Sequence, residues 1–416
     1  MGNAATLSAK GPLRVALVGS SLRLAGAEKQ TVYLARTLLE AGTDLRFFHV
    51  GDGGHYESVL RGIGVWFEQI YRPKRPLAML ARLTRDLYRF RPEIVFAPQF
   101  GDLLQSGIAG RACNALVLGG LRSDGFYELD SNGWRSAWML RLAHGLVSNS
   151  HRARQNLVSR VPKAPAITIL PNVLDLHEFD ARSNMRLPTS IPADRIRAVA
   201  VGSLLQCKRF DRFLKALALA RRKVPALVGV IAGSDCGAGP ALVKEASDLG
   251  LAPDHVLFLG ECGNVPALLT QAGFLVLSSE YEGFPNVILE AMAARLPVIT
   301  TRVGDAERIV LEGETGYVVD EPEVERIAER MVALAQSPET RTRLGAEGRK
   351  RIVREYSYER LQARLLSVFS DFAAHNRRHQ LMRRLRGQYP CTGAGIPPAR
   401  DRQPMVPQHV TRNSFA

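Results

Sequence analysis

The stretch Phe274-Leu275-Val276-Leu277-Ser278-Ser279-Glu280-Tyr281-Glu282-Gly283-Phe284-Pro285-Asn286-Val287-Ile288-Leu289-Glu290-Ala291-Met292-Ala293 passes from strand to turn to helix. Its first four residues are an apolar run with the character of a buried strand. Gly283 and Pro285 mark a turn. Val287, Leu289, Ala291 and Met292 supply the apolar positions of the helix that follows. Two of its carboxylates are separated by seven residues, Glu282 in the turn and Glu290 about one turn into the helix. Free amides at a helix start attract phosphate, and a carboxylate further in accepts hydrogen bonds from sugar hydroxyls. Surface carboxylates on an ordinary strand-turn-helix would leave the apolar Phe284 and Pro285 in that tight turn without a reason.

The same alternation extends in both directions. Upstream, Arg14-Val15-Ala16-Leu17-Val18 ends in Gly19-Ser20 and precedes a helical stretch from about Ala27 to Leu39. Further strand-like runs begin at Leu45, Val65, Ile94, Leu116, Leu146 and Ile167. Ala198-Val199-Ala200-Val201-Gly202 restarts the pattern, and Val228, Val256, Phe274, Pro297 and Tyr317 open its later strands. Strands alternating with helices predict parallel sheets covered on both faces. The fold class is therefore α/β, with two Rossmann-like, doubly wound domains facing a central cleft. Ligands bind at the carboxyl edges of such strands. The polar stretch from Asp180 to Arg195, with Pro188 and Pro192, is the expected linker. The expected organisation is a disordered leader over 1–12, a first domain over 13–183 and a second over 184–355. A helix over 356–376 crosses back to the first domain, its stripe formed by Leu361, Leu365, Val368, Phe369 and Phe372. Residues 377–416 are expected to be a disordered basic tail.

A chain of 416 residues that is 46% apolar can fill two cores. Its net charge of +15 points to anionic partners. No helix-turn-helix, zinc-finger or RNA-binding signature accompanies the charge, so phosphate and membrane partners rank above nucleic acid. The stretch from Arg72 to Arg91 is basic and amphipathic, with Leu80, Leu83, Leu87 and Phe90 in one stripe. It fits either an anionic membrane surface or a helix packed on the first sheet with a solvated basic face. Cys113, Cys207, Cys236, Cys262 and Cys391 are scattered, and the nine histidines lack metal-site spacing. That usage suits a reducing compartment and no metal is expected. No apolar run is long enough to span a membrane, and the N-terminus is too weakly apolar for a signal peptide. The expected location is the cytoplasm, peripheral at the inner face of a membrane.

Glu282-Gly283-Phe284-Pro285-Asn286, followed by Leu289-Glu290-Ala291-Met292-Ala293, closely resembles the donor-site signature of glycosyltransferase family 4. Other segments agree in order: Leu24-Ala25-Gly26-Ala27-Glu28 with the glycine-rich acceptor-side loop, Val201-Gly202-Ser203 through Lys208-Arg209-Phe210-Asp211 with the start of the nucleotide domain, and Thr301 to Glu307 with a later loop. The resemblance covers about residues 13 to 372. It implies a retaining enzyme of the two-Rossmann GT-B fold that uses a nucleotide diphosphate-sugar, here a UDP-sugar, and no further cofactor. Glu282 would face the donor sugar and Lys208 would neutralise the departing diphosphate; these are the implied catalytic pair. Glu290 would bind the ribose hydroxyls, with Gly283, Phe284, Pro285, Asn286, Val287, Ser203 and Arg209 completing the donor site. Gly26, Ala25 and Arg122 would belong to the acceptor-side loops. The implied acceptor is a glycan or lipid-linked sugar of surface polysaccharide or lipopolysaccharide.

The chain also departs from the family pattern. Many members have Arg where Ser203 stands, histidines are missing from Pro98-Gln99-Phe100 and from Gly119 to Gly125, and Asp305 occupies a frequent glycine position. Arg122 and Asp124 are equally readable as acceptor contacts or as a structural loop pair. Other readings are an inactive fold that binds membrane or nucleic acid, and an epimerase or phosphorylase, for which no signature stands in the chain.

Overall fold

A computed structural model describes residues 11–185, 195–320 and 323–388. Most of the expected leader, the middle of the expected linker and the chain beyond 388 lie outside the described residues. The first sheet contains β1 (Arg14–Gly19), β2 (Asp44–His49), β3 (Trp66–Gln69), β4 (Ile94–Ala97), β5 (Leu116–Leu121), β6 (Gly145–Ser148) and β7 (Ile167–Ile169). The second contains β8 (Ile196–Val201), β9 (Leu227–Ala232), β10 (Val256–Phe258), β11 (Phe274–Leu277), β12 (Val298–Thr301) and β13 (Gly316–Val319). Their orders are β3-β2-β1-β4-β5-β6-β7 and β10-β9-β8-β11-β12-β13. Every pairing is parallel.

The strands follow from their composition. β4, β5, β6, β9, β11 and β12 are buried along their whole length, as a parallel sheet covered on both faces requires. The strand order reverses between β1 and β4 and between β8 and β11. Crevices form outside the carboxyl ends of strands at such reversals. The loops after β1, β8 and β11 are thereby placed where a ligand would lie.

The Leu361–His375 helix belongs to the first domain's core, where Leu365, Phe369 and Phe372 pack with Phe47, Phe96 and Leu118. Phe369 meets Phe96 edge-on, with 6.3 Å between ring centroids. Each such buried side chain contributes about 1.5–3 kcal/mol.

The basic segment that follows differs from the disordered tail expected from 377. Residues His379–Gln388 form a helix whose Leu381 and Leu385, one turn apart, enter the same core. Arg378 donates to the Asn114 carbonyl at 2.6 Å, and Arg384 pairs with Glu93 at 2.5 Å. The arginines that suggested disorder here satisfy carbonyl and carboxylate groups at the amino edge of the first sheet.

The basic stretch around residue 80 forms the Pro76–Phe90 helix, with Leu83, Leu87 and Phe90 buried against the first sheet. Its apolar stripe is thus spent on the core, while Leu77 and Tyr88 remain exposed. Among the described residues, no helix is long and apolar enough to cross a membrane.

Candidate active site

Behind the strand-turn-helix segment, two hydroxyls fix the geometry. Ser278 Oγ donates to the Arg209 carbonyl at 2.8 Å, and Ser279 Oγ donates to Glu282 Oε1 at 2.8 Å. The Glu280 amide donates to the Cys207 carbonyl at 2.8 Å. These bonds tie the β8 loop to the β11 loop and bring Lys208 Nζ to 2.6 Å from Glu282 Oε1. Both side chains are largely buried yet line one cavity of about 490 Å³ between the domains, a size typical of small-molecule sites.

Glu290 lines the same cavity from the Asn286–Ala293 helix. Among the described residues it has no hydrogen-bond or ion-pair partner. Burial pushes its pKa up, against the opposing pull of the Lys29 and Arg182 charges. Ser203, Pro285, Asn286 and Val287 also line the cavity, as do Ala25 and Gly26 of the first domain. Phe284 is buried and packs against Tyr356, 5.8 Å between ring centroids. That anchor explains an apolar residue in the turn.

Two helix N-termini meet across the cavity. Neither the Gly26–Glu40 helix nor the Asn286–Ala293 helix has a side-chain cap, so both present amide groups and the positive ends of their dipoles to an anion. Their approach is close. A Cβ at Gly26 would lie 2.2 Å from Asn286 Nδ2, and one at Gly283 would lie 2.4 Å from the Ser123 carbonyl oxygen. Asn286, expected in the donor site, also accepts from Asn172 Nδ2 at 2.8 Å, an inter-domain bond.

Arg209 takes a different place from the one expected. Its backbone is left-handed, φ 49°, and its guanidinium makes two 2.8 Å bonds to Asp211. It does not line this cavity, whereas Lys208 does.

Asp305, the residue at a frequent glycine position, clasps the domains. Its carboxylate accepts from Ser150 Oγ at 2.9 Å, the His151 amide at 2.9 Å and the Arg152 amide at 3.0 Å. It therefore caps the His151–Arg160 helix of the first domain from the second. Asp305→Ala is expected to remove about 2 kcal/mol of bias toward the closed cleft, roughly a 30-fold population shift. Small-angle scattering checks this: the unliganded variant should have a larger radius of gyration, and an unchanged profile would count against the clasp.

The family models agree with this geometry. "Glycosyltransferase Family 4" matches residues 24–178 and "Glycosyl transferases group 1" matches residues 182–351. The GDP-mannose-dependent alpha-(1-6)-phosphatidylinositol monomannoside mannosyltransferase of Mycolicibacterium smegmatis is 30% identical over 262 residues, 57% of this chain and 67% of that protein. The chain belongs to the family 4 glycosyltransferases.

A further relative of this glycosyltransferase is the lipopolysaccharide core biosynthesis glycosyltransferase LpsE of Rhizobium meliloti, 28% identical over 49% of this chain and 58% of that protein. Across its curated relatives the chain spans from about a quarter to two thirds of the relative's length. Anabaena Alr3699/HepE, solved in complex with UDP-glucose, superposes with a TM-score of 0.73 at 17% identity, covering 86% of this glycosyltransferase and 100% of that chain. At that identity the likeness speaks for the two-domain fold.

Proposed function

We propose that this glycosyltransferase moves a sugar from a UDP-sugar to a glycan or lipid-linked acceptor with retention of anomeric configuration. The observation that carries the reading is the 2.6 Å Lys208–Glu282 pair in a cavity that also holds Glu290 and two uncapped helix N-termini. The ribose hydroxyls donate to Glu290, and the diphosphate lies against the helix amides and Lys208. Charge grows on the diphosphate as its bond to the sugar breaks, and preorganised donors and cations stabilise it there. The acceptor oxygen bonds to the anomeric carbon on the face the diphosphate leaves, and the acceptor proton passes to the departing phosphate. Glu282 orients Lys208 and receives sugar hydroxyls, and no enzyme nucleophile takes part. Closure of the domains excludes water from the reacting centre.

The phosphatidylinositol mannoside and lipopolysaccharide relatives support a lipid-linked or surface-glycan acceptor. We place the protein in the cytoplasm at an anionic membrane surface. There the exposed Leu77 and Tyr88, together with the arginines of the Pro76–Phe90 helix, would face lipid.

Calorimetric titration with UDP-, GDP-, ADP- and TDP-sugars, with and without chelator, tests the reading. A UDP-sugar should bind, and the chelator should leave its affinity unchanged. Binding of another nucleotide instead would overturn the choice of base. Chelator-sensitive binding would overturn the role given to Lys208, and no binding at all would overturn the donor site.

A further inference from the structure

A second cavity, of about 580 Å³, lies beside the first. The two share Arg122, Leu205, Lys208 and Glu282, but only the first is lined by Glu290. The second therefore opens on the reacting centre from the side away from the nucleotide carboxylate. Its walls include Tyr127 of the first domain and Tyr281 of the second, 57% and 42% exposed. A hydrogen bond to Cys207, burial and the nearby Asp124 and Tyr127 push the Tyr281 phenol up to about 12. Two aromatic faces thus stand near one another across the cleft, an apolar body with a polar tip on each side.

Arg122 stands where the two cavities join. Its loop is rigidly held, because Glu128 accepts the amides of Arg122 at 2.8 Å, Ser123 at 2.6 Å and Gly125 at 2.9 Å. The Glu128 carboxylate is thereby occupied by backbone. The guanidinium donates through Nε to the Pro98 carbonyl at 3.0 Å, while its Nη2 is buried with no hydrogen-bond partner among the described residues. Burial pushes its pKa down to about 10, with Glu128 opposing, so the group remains a cation at neutral pH. A buried cation with an unpaired donor is costly unless an anion meets it. A guanidinium offers that anion a planar fork matched to carboxylate or phosphate.

Resting on the donor-site reading above, we infer that the second cavity is the acceptor subsite and takes an acidic sugar, its carboxylate or phosphate on Arg122 and its ring between Tyr127 and Tyr281. The acidic group then fixes the ring beside the Lys208–Glu282 pair, and discrimination against neutral sugars follows from leaving the guanidinium unmatched.

The test is calorimetric titration of the full chain, first with UDP alone and then, with and without saturating UDP, with glucose, glucuronate and glucose 6-phosphate. The two acidic sugars are expected to bind at least tenfold more tightly than glucose. Whichever binds better names the acidic group, carboxylate or phosphate. Arg122→Met should abolish that preference and keep UDP affinity. Arg122→Lys, which retains the charge without the fork, should keep part of it and decides the matter should the methionine variant not fold. Absence of the preference in the wild type, or its survival in Arg122→Met, would overturn the subsite. Loss of UDP affinity in Arg122→Met would reassign the residue to the diphosphate and overturn it equally, as would transfer of the discrimination to acidic against neutral donor sugars. Failure of the wild type to bind UDP would count against the donor-site reading, and the titrations without nucleotide still decide the acidic-sugar pocket.

Discussion

Glu282→Ala is expected to lower sugar transfer roughly 10²- to 10³-fold in kcat. The carboxylate holds Lys208 at 2.6 Å and is itself held by Ser279. Removing it releases a flexible lysine from the position where diphosphate charge develops and deletes an oriented acceptor for sugar hydroxyls. Nucleotide affinity should change much less, because Glu290 and the two helix N-termini stay in place. Steady-state kinetics alongside UDP titration separate the two effects. Transfer within a few-fold of wild type would remove Glu282 from the proposed mechanism. Loss of binding and turnover together would make it a structural support of the cavity.

Glu290→Ala is expected to act on the other half of the site, weakening UDP binding about 10- to 100-fold, as loss of a charged hydrogen-bond acceptor implies. The unliganded variant should nevertheless melt no lower than wild type. The carboxylate has no partner among the described residues, and burial raises its pKa. A carboxyl whose folded pKa is raised holds its proton more tightly in the native state, so its ionisation destabilises the fold as pH rises from the unfolded value through the folded one. Alanine removes that cost. The ionised form is the one that accepts ribose hydroxyls at both oxygens, so wild-type affinity should fall as pH drops through the raised pKa, and Glu290→Ala should lack that component. Calorimetry from acid to neutral pH, with thermal melts of the unliganded proteins, checks both statements. Unaltered UDP affinity would exclude the ribose contact.

What the sequence made legible was what local pattern encodes. The apolar runs ending in Gly19 and Gly202 showed where strands stop and ligand loops start, and the restart at Ala198 showed a second sheet. Glu282 and Glu290 were legible because strand, turn and helix succeed one another within a single segment. Contacts that depend on distant residues were not. Asp305 meets Ser150 across the two domains, and only its departure from a glycine position hinted at a role. The guanidinium of Arg209 pairs with Asp211 two residues later, a local partner that a motif built around the diphosphate conceals. In the His379–Gln388 helix, two leucines one turn apart are outnumbered by basic residues, and its docking partners, Glu93 and Asn114, are set by tertiary folding. The state of Arg122 became visible only when Glu128 was seen to be engaged by three amides.

The return of the chain's last described helices to the first domain bears on how the protein is made. Synthesis proceeds from the N-terminus, and domains generally fold as units while it continues. Here the first sheet is translated early, yet its core lacks Leu365, Phe369, Phe372, Leu381 and Leu385 until the final stretch is made. The buried residues of the larger of the second domain's two cores run from Ala198 to Leu344, and it can settle beforehand. On the ribosome, then, the domain synthesised first is the one completed last. In the meantime it carries an open apolar slot, which is filled only once residues 361–388 have emerged.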